Sequence, residues 1–158
     1  MITLNLIGLD AAKSQTLANS PNDLLSNYTV LYQNVRGYHW NVQGDKFFEL
    51  HLKFEELYND LFVKTDEIAE RILTLGYQPN HKFSFYLQKT AIVETNEVND
   101  GPKSLQETLS AFAILLSKQR QILDLSGEIE DDGTNALMSD YIREQEKLVW
   151  MYSAYLKK

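Results

Sequence analysis

The sequence predicts an all-α fold, a four-helix bundle with a long crossover between its second and third long helices. Three observations carry this. Apolar and aromatic residues recur at three- and four-residue steps in four long stretches, glycine and proline punctuate the gaps, and residues 77–103 have no sustained period. The first stretch, 24–42, sets Leu24, Tyr28, Leu31, Tyr32, Val35, Tyr38 and Val42 at helical spacing. Its start is expected at Ser20 and Pro21, with Asn22 and Asp23 in the first turn, where caps and the helix dipole favour such residues. Gln43, Gly44 and Asp45 then turn the chain. The second stretch carries Phe47, His51, Phe54, Tyr58, Leu61, Ile68, Ile72 and Leu75, and Gly76 closes it with Pro79 beyond. The two helices make an antiparallel hairpin.

In 77–103, Pro79, Asn80, Gly101 and Pro102 interrupt the chain, yet Phe83, Phe85, Tyr86, Leu87, Ile92 and Val93 need burial. A crossover containing a short helix satisfies both, and its length lets the third long helix run parallel to the second. That third helix is expected to open at Ser104 with a capping box to Glu107, continuing through Leu109, Phe112, Leu116 and Leu123 to Gly127. The acidic run from Glu128 to Asp132 turns the chain into a fourth helix carrying Leu137, Tyr141, Leu148, Tyr152 and Leu156.

Composition bounds what such a bundle can do. The 158 residues suit one domain over 1–158, and 44% apolar with 23% charged residues argues against both disorder and a membrane protein. The apolar start, Met1 to Asp10, has no basic segment and no small-residue cleavage site, so a cytoplasmic location is the default expectation. A net charge of −7, with Lys13 alone near the start and Lys157 with Lys158 at the end, gives little to neutralise a polyphosphate, so DNA binding is expected to be weak or absent. With Cys 0, any metal ligands must come from His, Asp and Glu, a donor set that suits iron.

A lone histidine on an apolar stripe is ordinarily a satisfied core residue, and His81, in the loop after Pro79, is expected to be exposed and idle. His39 and His51 differ. Each lies a few residues from the Gly44 turn, so an antiparallel hairpin sets them at similar heights, where they can share a metal. Glu55, Asp66 and Glu70 fall on the same side of the second helix, though a solvated acidic face reads equally well from that helix alone. Asp66 lies about 22 Å along the helix from His51, too far for one ion to bridge. Two copies with these helices antiparallel about a two-fold axis would bring His39 and His51 of one against Asp66 and Glu70 of the other, with Glu55 placed to complete the shell.

The run Tyr38 to Gly44, YHWNVQG, followed by FFELHLKFEELY, DEIAERILTLG and the ending LVWMYSAYL, resembles the Dps family of mini-ferritins over nearly the whole chain. The resemblance implies a ferritin-like bundle that assembles as a homo-oligomer, a hollow dodecamer. It implies iron, Fe(II) going to Fe(III), oxidised preferentially by hydrogen peroxide at sites shared by two subunits, with ferric mineral stored inside and the cell protected from oxidative damage. Carried over, the ligands are His39, His51, Asp66 and Glu70, with Glu55 where the family often has Asp. Trp40 matches a family tryptophan near the iron, where it would intercept radicals; a space-filling aromatic is the plainer alternative. Glu128, Glu130, Asp131, Asp132 and Asp140 sit where the family builds acidic pores on its three-fold axes, although helix capping also accounts for one or two of them.

Two rivals remain at this point. A conventional ferritin holds iron inside one bundle through Glu-x-x-His pairs, but positions three before each histidine are Arg36, Phe48 and Gln78. A helical adaptor without chemistry would leave the four ligand candidates as unrelated residues.

Overall fold

The computed structural model describes residues 3–157, and among them it is all-α: α1 Ala11–Asn41, α2 Phe47–Thr74, α3 Phe83–Lys89, α4 Gly101–Glu128 and α5 Asp132–Leu156. Met1, Ile2 and Lys158, and with them part of the expected leaderless start and of the terminal lysine pair, lie outside the described residues. No helix among them is long and apolar enough to cross a membrane.

Tyr28 on α1 meets Gln119 on α4, and Tyr38 meets Glu107, so these helices run antiparallel. Since α1 and α2 are antiparallel across the Gly44 turn, α2 and α4 are parallel, the wiring that the long crossover permits. Pairing of Lys64 with Glu144 and of Arg71 with Asp131 sets α5 antiparallel to α2. The hairpin ends as expected at Gly76, whose φ of +93° lets its own N–H and that of Tyr77 close on the Leu73 and Ile72 carbonyls.

The start of α1 corrects the expectation. It begins not at Ser20 but at Ala11, where the Asp10 carboxylate accepts the Lys13 N–H at 2.9 Å, and Pro21 lies inside the helix. Ser14, Leu17, Ala18, Pro21, Leu24, Leu25 and Tyr28 form one continuous buried stripe at helical spacing. Ser14, Ala18 and Pro21 take three of those seven positions, which hides the period. Likewise α4 opens at Gly101, capped by Asp100, whose carboxylate accepts the Lys103 N–H at 2.8 Å, with Pro102 in the first turn. Ser104, the expected cap, is wholly buried within the helix. Packing at Gly101 is close: a β-carbon there would lie 2.2 Å from Leu50 Cδ1, so a larger residue would have to displace that side chain.

Buried asparagines on α1 hold the crossover. Asn27 Oδ1 accepts the Ala91 N–H at 2.9 Å, while the Asn34 amide donates to the Val93 carbonyl at 2.9 Å and accepts from the Thr95 N–H. Seven residues apart, the two asparagines sit on one face and give an irregular segment the backbone partners it lacks.

The bundle centre is polar. Tyr28 donates to Gln119, Gln119 to Gln145, and Gln145 back to the Tyr28 oxygen, closing a buried ring of three hydrogen bonds. Nearby, Lys64, only 4% exposed, reaches Asp60 and Glu144, and its ammonium lies over the Tyr141 ring, whose hydroxyl donates to Glu67. Burial pushes the Tyr28 and Tyr141 phenols well above their ordinary range. Burial opposes the Lys64 charge, but hydrogen bonds to Asp60 and Glu144 outweigh it, and the net shift is upward.

Candidate metal centre

His39 sits in the last turn of α1 and His51 near the start of α2, on either side of the turn at Gly44, where φ is +107°. The two rings stack with centroids 3.8 Å apart and planes 20° from parallel. Their hydrogen bonds are reciprocal: His39 Nδ1 lies 2.7 Å from the His51 carbonyl, and His51 Nδ1 lies 2.8 Å from the His39 carbonyl. A carbonyl oxygen only accepts, so both Nδ1 atoms carry the hydrogen. In the neutral rings the lone pairs then reside on the two Nε2 atoms, the arrangement in which a second contact fixes the tautomer of a metal-binding imidazole. The rings are further clamped. Phe47 stacks on His51 at 5.0 Å, and Tyr58 meets His39 edge-on at 5.3 Å. Neither Phe47 nor Tyr58 was singled out as part of the site from sequence, although they stand four residues before and seven after His51 and so share its side of α2.

Glu55 lies half-buried one turn beyond His51, while Asp66 and Glu70 are exposed farther along α2. Among the described residues none of these three carboxylates makes a salt bridge. Nor do three His, Asp or Glu side chains within the described chain converge to hold a metal ion. The structure therefore brings His39 and His51 together and leaves Asp66 and Glu70 apart from them. Around these acids, α2 also exposes Phe48 (84%), Leu52 (52%), Phe62 (61%) and Leu73 (58%). On a wheel of 100° per residue these apolar residues and the three acids fall within about 40° either side of one line.

His81 is exposed, as expected. Trp40 is 57% exposed with the Arg36 guanidinium 4.7 Å above its ring, so it is not a core aromatic, and Trp150 is exposed as well. In the acidic run, Glu128, Glu130, Asp132 and Asp140 are exposed, Asp140 pairing with Arg143 at 2.8 Å. Asp131 departs from the pore expectation. It is 2% exposed, accepts the Thr134 N–H as the cap of α5, and pairs with Arg71, so its charge is consumed inside the subunit.

Comparison with known proteins agrees with this architecture. Residues 22–158 match the ferritin family, described as a ferritin-like domain. An uncharacterised protein of Haemophilus influenzae is 52% identical over 94% of this chain and 92% of its own length. The DNA protection during starvation protein of Porphyromonas gingivalis is 39% identical, covering 98% of each chain. The crystal structure of a Dps protein from Vibrio cholerae O1, described as a member of a broad superfamily of ferritin-like diiron-carboxylate proteins, superposes with a TM-score of 0.96 at 60% identity, covering 99% of both chains. With a bundle of this wiring and relatives matched along nearly their full length, the chain belongs to the ferritin-like proteins and, among them, to the Dps family.

Proposed function

We propose that this protein stores iron and detoxifies it, acting as a ferroxidase at sites shared by two copies of the chain. His39 and His51 of one copy supply Nε2 lone pairs, Asp66 and Glu70 of the other supply carboxylates, and Glu55 completes the set. Imidazole and carboxylate together suit iron and leave room for an oxidant. Two ferrous ions each give one electron to hydrogen peroxide, which takes up two protons and leaves as two waters, so no hydroxyl radical is released. Trp40, exposed next to His39, is the proposed trap for any radical that escapes.

The observation that carries this reading is the reciprocal lock on the two histidines, which orients both Nε2 atoms with no third ligand among the described residues of the same chain. Three acids without an ion pair among the described residues, on an apolar strip of the same helix, supply what is missing, and burial of that strip favours a second copy. In the proposed assembly, a dodecameric shell, Glu128, Glu130, Asp132 and Asp140 draw ferrous ions to pores by focusing the field. The shell works in the cytoplasm, and its acidic balance gives weak or absent DNA binding.

Anaerobic loading with ferrous iron followed by peroxide tests the reading. Saturable oxidation consuming one peroxide per two irons is expected, and His39→Ala with His51→Ala slows it by about tenfold or more. An assembled shell that takes up no iron would return the protein to a structural role.

A further inference from the structure

A cleft of about 370 Å³ opens between α1, the crossover and α4, bounded by residues that play no part in the proposed iron site. Its polar end is made by Tyr38, Thr95 and Glu107, and its walls by Leu31, Ile92, Ala111 and Ile114. The buried Tyr38 hydroxyl donates to Glu107 Oε2 at 2.9 Å, while Glu107 Oε1 takes no hydrogen bond among the described residues. Thr95 Oγ1 is sealed against the Tyr38 hydroxyl and closes that end of the cleft.

Charge, size and shape narrow the occupant. Lys103, the cation among the lining residues, pairs with Glu97 and also faces Glu107 one turn along α4, so a single cation stands against three lining carboxylates, Glu94, Glu97 and Glu107. The lining therefore favours a cation over an anion. A bare metal ion fits poorly, since no three His, Asp or Glu side chains among the described residues are placed to hold one. The volume is far larger than one water, whose share of the liquid is about 30 Å³, and falls in the range of small-molecule sites. Four apolar walls ask for hydrocarbon. The wall on the crossover side is held in shape, because Asn34 grips Val93 and Thr95 through both ends of its amide.

We propose that this cleft binds a small aliphatic amine, its ammonium on the free oxygen of Glu107, its carbon chain along Leu31, Ile92 and Ile114. The ammonium would donate a charge-assisted hydrogen bond to Glu107 Oε1, which Tyr38 leaves free. This site is independent of iron chemistry, so its failure leaves the ferroxidase reading intact.

Calorimetric titration of the assembled, iron-free protein with butane-1,4-diamine tests it. Saturable binding is expected, with affinity at least about tenfold lower in Glu107→Gln, which keeps an acceptor for Tyr38 but removes the charge. Should that variant fail to assemble, Ser110→Trp at the exposed rim fills the cleft and is expected to abolish binding. Sodium butyrate and magnesium chloride are expected to give no saturable heat. Absence of saturable diamine binding, equal binding by a variant, or equal binding of butyrate or magnesium overturns the proposal.

Discussion

The acids of α2 fall into two groups that differ in what the fold asks of them. Glu49 pairs with Lys46, Glu56 with Lys53, Asp60 with Lys64, and Glu67 accepts the Tyr141 hydroxyl. Those four lie about 80–120° around the helix from the line through Asp66. Glu55, Asp66 and Glu70 lie near that line itself, and among the described residues no cation of the same chain reaches them. One helix thus carries a face whose carboxylates the subunit pairs or hydrogen-bonds and a face whose carboxylates it leaves for something else. Local charge balance is cheap to arrange at three- and four-residue spacing, as Lys46 and Lys53 show. Its absence on one face alone, where large apolar residues are also exposed, is the signature of a surface finished by another molecule.

The sharpest way to break this comparison is complementation. A chain with His39→Ala and His51→Ala and a chain with Asp66→Asn and Glu70→Gln are each expected to lose ferrous oxidation by tenfold or more, on the order seen when metal-site residues are removed. Co-assembled in equal amounts, they recover about a quarter of the wild-type rate, because half the dimers are mixed and each mixed dimer has one intact site of two. If the ligands all acted within one chain, no mixture would regain activity, and rates in the mixed shells would settle the point directly.

How much of this was legible beforehand follows the same division. The bounds of α2 were readable because its buried stripe is apolar at every position but Lys64 and Gly76 stops it. The first turns of α1 were not, since Ser14, Ala18 and Pro21 occupy the stripe and weaken its period, and Pro21 reads as a beginning wherever it stands. Nor was the start of α4 clear, because Ser104 with Glu107 imitates a capping box while Asp100 does the capping. For the site, spacing gave the height of His39 and His51 at the turn. It could not give the lock, which depends on two backbone carbonyls facing two rings across the hairpin. Asp131 was indistinguishable from its acidic neighbours until Arg71, sixty residues earlier, was seen against it.

On the paired face, Lys64→Ala is the next largest effect. Breaking a fully buried pair costs about 3–5 kcal/mol, but here Asp60 and Glu144 are 40% and 50% exposed, and solvent screens what they lose. A loss of about 2 kcal/mol in chemical unfolding is expected, chiefly from the missing ammonium and its packing on Tyr141. A change below about 0.5 kcal/mol would mean that the cluster is decoration and that the contrast between the faces is overstated.

Tyr152 probes the same side of the helix through pH. Burial, with smaller contributions from Glu56 and Asp60, pushes its phenol up to about 12 from an ordinary value of 10.0. The folded state therefore holds the proton longer than the unfolded chain does. Its contribution is complete below pH 10 and is lost as pH rises toward 12, a slope of about 1.4 kcal/mol per pH unit. Tyr152→Phe is expected to flatten that part of the stability curve in alkaline unfolding while changing little at neutral pH. A curve parallel to wild type from pH 10 to 12 would show that neither burial nor these two acids hold the proton on this ring.

The smallest expected effect is the most telling. Asp66→Asn with Glu70→Gln, the changes that remove the proposed oxidation, touch no ion pair within the described chain, so unfolding of the metal-free protein is expected to shift by less than about 0.5 kcal/mol. A substitution that silences chemistry and leaves stability alone marks carboxylates retained for a ligand. If instead the pair destabilised the subunit as Lys64→Ala does, the two faces would be alike, and these acids would belong to the fold rather than to the iron.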